Sequence, residues 1–156
     1  MKVSATKPTV TKKYHIEVPT HKYFSTPCVY RVWFGKRYII WKGKSLLQSV
    51  QQMAEVLERA LRLGWSDNTN YFYHVWTYIK KARITKGNVE RLHDDFTDDP
   101  MAMLQMEQQY LDKAYNDPDC LNNNAIAYVP GWMGPAVEKE FNTWLKTRKC
   151  KPKRKR

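Results

Sequence analysis

The chain has 156 residues, enough for one domain with a sizeable core, and six Trp and ten Tyr among its 42% hydrophobic residues exclude wholesale disorder. No apolar run approaches the roughly 20 residues of a membrane span, and the opening Met1-Lys2-Val3-Ser4-Ala5-Thr6-Lys7 lacks the apolar stretch of a secretory signal. The formal net charge of +12 directs attention to anionic partners.

Residues 1–22 hold Pro8 and Pro19 among many Thr and Lys, and they read as an extended arm with a short strand around Tyr14 to Val18. A domain over 23–146 and a basic tail over 147–156 complete the expected organisation. The domain opens with a hairpin. Cys28-Val29-Tyr30-Arg31-Val32-Trp33-Phe34 and Tyr38-Ile39-Ile40-Trp41-Lys42-Gly43-Lys44 are β-branched and aromatic runs around a tight turn at Gly35. Their weak alternation predicts strands covered on more than one side. Ser45 and Gln48 then form a capping box, and Leu46, Val50, Met53, Leu57, Ala60 and Leu61 recur at helical spacing up to Gly64. A second helix carries Phe72, Val75, Trp76, Ile79 and Ala82 on one face, with Lys80, Lys81 and Arg83 crowding its end. After Lys86-Gly87, a short helix is expected from Asn88 to His93. The acidic stretch Asp94 to Pro100 resembles a metal loop, but Asp99 as N-cap and Pro100 as first helical residue explain it better. A third long helix is expected from about Met101 to Asn116. A last one follows Gly134-Pro135 and buries Val137, Phe141, Trp144 and Leu145. The predicted class is α+β: a small antiparallel sheet on the 28–44 hairpin, three to four covering helices, and extended basic arms at both ends.

The charge is localised. Residues 1–13 carry four lysines and residues 146–156 carry eight Lys/Arg, with no acid in either, so 14–145 is neutral. The tail cations Arg148, Lys149, Lys151, Lys153, Arg154, Lys155 and Arg156 are candidates for binding nucleic acid or a partner, as are Lys42 and Lys44 beside the hairpin. Cys28, Cys120 and Cys150 match neither a zinc spacing nor a disulfide framework, which points to plain thiols in a reducing compartment. Glu107 breaks its pattern: it lies one turn from Met103 and from Leu111 on the apolar side of the third helix. A carboxylate there needs a partner or a metal, and a tyrosine hydroxyl or an arginine is the expected partner.

Hairpin, helix, then Met103-Leu104-Gln105-Met106-Glu107-Gln108-Gln109-Tyr110-Leu111 followed by Leu121-Asn122 resembles the GIY-YIG nuclease superfamily over about residues 27–123. Cys28-Val29-Tyr30 would stand for the first motif and Tyr38-Ile39-Ile40 for the second. The resemblance implies Tyr30 and Tyr38 as catalytic tyrosines, Glu107 as the ligand of a Mg²⁺ or Mn²⁺ ion, and Asn122 as the late asparagine. Cys28 and Ile40 replace the motif glycines, and Ser45 to Glu58 contains no arginine, leaving Lys42 or Lys44 as substitute cations. Lysine lacks the bidentate phosphate geometry of arginine.

The sequence therefore predicts a non-catalytic, cofactor-free structural component of a large assembly such as a virion, for instance a phage neck or tail ring. Its basic arms would bind neighbouring subunits or DNA, and it would be oligomeric in that context. The competing expectation is a working metal-dependent endonuclease that cleaves DNA. A third is a basic accessory protein that binds nucleic acid. The expected location is a virion or the cytoplasm, not a membrane.

Overall fold

β1 (Cys28–Phe34) and β2 (Arg37–Gly43) pair antiparallel from Phe34 opposite Arg37 to Cys28 opposite Gly43. The two-residue turn between them uses a φ of +68° at Gly35, a backbone region open to glycine. This computed structural model describes residues 16–18, 26–64, 71–94 and 99–148. Tyr14 and His15, Cys150 and the tail cations from Lys149 onward lie outside them.

The hairpin alternates between two cores rather than between core and solvent. Cys28, Tyr30, Val32, Phe34 and Ile39 pack with Leu46, Val50, Met53 and Leu57 of α1 (Leu46–Leu63) and Val75 and Ile79 of α2 (Tyr73–Ala82). Val29, Tyr38 and Ile40 pack with Met103, Leu104 and Leu111 of α3 (Pro100–Lys113) and Phe141 of α4 (Pro135–Thr147). The result is α+β: a three-stranded antiparallel sheet between two pairs of helices.

The third strand corrects one expectation. Asn88–His93 is β3, not a helix, and it pairs with the free edge of β1 to give the order β2-β1-β3. Val89 and Leu92 stand three apart, which on a helix would put both on one face. On a strand the same spacing puts them on opposite faces. Val89 packs into the α1–α2 core and Leu92 into the α3–α4 core. The unpaired backbone of β1 settles the choice that local spacing leaves open. Nearby, Glu17 bridges Lys86 in parallel, and Ile16 is buried in the α1–α2 core.

The helix ends follow their caps. Ser45 Oγ accepts from the Gln48 amide at 3.4 Å, and Gly64 takes φ +85° after the last turn of α1. Asp99 Oδ1 accepts from the Ala102 amide at 3.1 Å ahead of Pro100. α3 closes at Lys113, short of the expected Asn116, because residues 114–116 turn towards Asp117-Pro118. In α4 Phe141 is buried, while Val137, Trp144 and Leu145 are half-buried. Among the described residues no helix is long and apolar enough to cross a membrane. Cys28 and Cys120 are buried, and burial pushes the Cys28 thiol up to about 12, which keeps it protonated and inert.

Candidate functional site

Strand phase decides where Lys42 goes. Tyr38, Ile40 and Lys42 alternate onto the face of β2 that meets α3, so the lysine enters the protein instead of leaving it. The Lys42 side chain is 2% exposed and that of Glu107 is 0% exposed. Lys42 Nζ donates to Glu107 Oε1 at 2.7 Å and also to the Tyr128 carbonyl oxygen. The partner of Glu107 is thus Lys42, not the expected tyrosine or arginine. An ammonium on an interior strand position demanded a carboxylate, and the interior Glu107 answers it. Burial pushes the Glu107 carboxyl above the ordinary range, and Lys42 pulls it back. Its other oxygen, Oε2, has no hydrogen-bond partner among the described residues.

The two motif tyrosines are not brought together. Tyr30 points into the α1–α2 core and Tyr38 into the α3–α4 core, on opposite faces of the sheet. The Tyr30 hydroxyl lies 2.5 Å from Ser49 Oγ, and the Tyr38 hydroxyl donates to Asp117 Oδ2 at 2.5 Å. Burial pushes both phenols above their ordinary value; the Asp117 hydrogen bond adds to the shift at Tyr38, whereas the Ser49 hydrogen bond opposes it at Tyr30. A raised pKa is the wrong direction for a general base near neutrality. Ser49 reaches Tyr30 because Gly43 lets α1 lie close to β2: a Cβ on Gly43 would fall 2.3 Å from the Ser49 Cβ.

Asn122 serves the backbone. Its Oδ1 accepts from the Ile40 amide at 2.8 Å and its Nδ2 donates to the Ile40 carbonyl at 2.9 Å. Next to it, the Tyr38 amide donates to Asp119 O at 2.9 Å and the Leu121 amide to Tyr38 O at 2.7 Å. Together they satisfy the outer edge of β2, which the three-strand sheet leaves open.

The role of Gln108, next to Glu107, was not expected from the sequence. Gln108, fully buried, accepts from the Ala127 amide at 2.8 Å and donates to the Ala125 carbonyl at 2.9 Å. That clamp fixes the loop carrying Tyr128. The Tyr128 ring stacks near Trp41, 11° from parallel at 6.2 Å, and contacts Tyr71 at 5.1 Å. The available signal was phase: a glutamine next to Glu107 on a buried helix face must find backbone partners.

Lys44 is exposed, with Nζ 5.5 Å from the Trp132 ring centroid. Arg148 is drawn to the body, where it pairs with Asp112 and lies 5.4 Å over Trp144. Chemically, the Glu107 centre suits a divalent cation poorly. One carboxylate oxygen is held by an ammonium, whose charge would repel a metal at the other. Among the described residues no three His, Cys, Asp or Glu gather into a metal-holding group. No family model matches the chain, and neither curated proteins nor solved structures give a match.

Proposed function

We propose that this protein is a non-catalytic structural component of a large assembly, of the virion type, built on a GIY-YIG-like scaffold whose chemical centre is retired. The order hairpin, helix, Glu107 helix and Asn122 supports the likeness to that scaffold. The observation that carries the reading is the Lys42–Glu107 ion pair. Where the resemblance puts a metal ligand, a lysine ammonium neutralises the buried carboxylate and is itself held by the Tyr128 carbonyl. The tyrosines that would assist chemistry are spent on Ser49 and Asp117. What remains for function is binding, and the charge for it sits at 1–13 and 146–156.

Deletion of both arms tests this reading. Association with partner subunits or binding to DNA should fall sharply. For DNA, the full chain should lose affinity steeply as salt rises, because phosphate contacts release counterions. Unchanged assembly and unchanged DNA binding after the deletion would overturn it.

A further inference from the structure

A cavity of about 400 Å³ opens between the end of β2, the first turns of α1 and residues 128–132. It is separate from the sealed Glu107 carboxylate. Trp41, Tyr128 and Trp132 form its aromatic walls, and Lys44, Gln48 and Gln52 supply polar groups. Tyr128 is 39% exposed and Trp132 48% exposed. Large rings left open around one cavity offer faces for stacking rather than core packing.

The same cavity is electropositive. Lys44 is exposed on its rim. The 18-residue α1 points its N-terminus there and has no acidic residue in its first turn, so the positive end of the helix dipole is unopposed by a carboxylate. Lys42 also lines the cavity, but its charge is already balanced by Glu107. A ligand that matches these walls has a flat aromatic face, a hydrogen-bonding edge for side-chain amides and a nearby anion. Those three features together describe a nucleotide. A duplex hides its base faces, whereas a single strand presents them.

We propose that this cavity binds one nucleotide of a single-stranded nucleic acid. The base stacks on the Trp132 and Tyr128 rings, its edge meets Gln48 and Gln52, and the phosphate lies at Lys44 and the α1 N-terminus. The residues named for the site belong to the described body and no cutting is invoked, so its test is independent of the scaffold reading.

The test is a titration of the full chain with thymidine 5′-monophosphate, followed by NMR of the tryptophan indole N–H signals. A mononucleotide offers one base and one phosphate, which is what the cavity is proposed to hold. The Trp41 and Trp132 signals should shift together and saturate. Trp132→Ala should weaken binding by about tenfold, the size expected for one base-stacking contact. Lys44→Ala should weaken the monophosphate but leave uncharged thymidine unaffected. Both side chains are exposed, so the fold should survive each change, with circular dichroism as the check. Inorganic phosphate binding as tightly as the nucleotide would overturn the proposal, as would unaltered affinity in Trp132→Ala. So would an acidic peptide that shifts the same signals more strongly, since that would assign the cavity to a protein partner.

Discussion

At the scale of single residues, the interior ion pair governs both stability and chemistry. Lys42 and Glu107 are 65 positions apart in the chain, and each is tolerable inside only because of the other. Glu107→Gln should therefore destabilise the protein by about 3–5 kcal/mol in urea unfolding, because it strands a buried ammonium. Replacing both residues by Met should recover most of that loss. A single substitution as mild as the double would show that the pair is not load-sharing in this way. Lys42 was expected as a binding cation, and its alternation with Tyr38 and Ile40 instead turns it inward. Its pairing was not legible in the sequence, because no local rule says which interior carboxylate a strand lysine will meet.

Buried acids give a second residue-level expectation. Cys28 rises from 9.0 to about 12, and Tyr30 and Tyr38 rise above 10.0, all chiefly through burial. In each case the folded state keeps a proton that the unfolded chain gives up first. The stability these groups contribute is full below their unfolded values and is lost as pH rises through the folded ones. Urea midpoints should thus decline above about pH 9. A midpoint that rises above that pH would contradict the burial assigned to these groups.

At the scale of elements, local signals placed most boundaries and failed where neighbours decide. Ser45, Gly64, Asp99 and Pro100 set helix ends through caps that depend on a few adjacent residues. The helix expected at β3 fails because Val89 and Leu92 serve two cores, and a strand that sends one half-buried apolar side chain to each face imitates helical spacing. The outer edge of β2 shows the same dependence on distant chain. Asn122 replaces a strand partner for Ile40, 82 positions away, through both of its amide atoms. Asn122→Ala leaves a buried N–H and C=O unsatisfied and should cost about 2–4 kcal/mol, measured by thermal or urea unfolding. Loss of less than half a unit on that scale would mean that water reaches the edge and that the asparagine is not its clamp.

At the scale of the whole molecule, charge and chemistry are separated. The excess of +12 resides in the two ends, while residues 14–145 are neutral and the interior Lys42 is held against the interior Glu107. The α+β class and the anomaly of Glu107 were legible in the sequence. What composition and spacing could not show was that the carboxylate is paired with Lys42, whose ammonium also reaches the Tyr128 carbonyl. A Glu107 centre neutralised by Lys42 should not cut DNA. Incubation of the full chain with plasmid and branched DNA in Mg²⁺ and in Mn²⁺, beside Glu107→Gln and Tyr30→Phe, tests this. Intact DNA is expected in every lane. Metal-dependent cleavage by the wild type that disappears in both variants would contradict it.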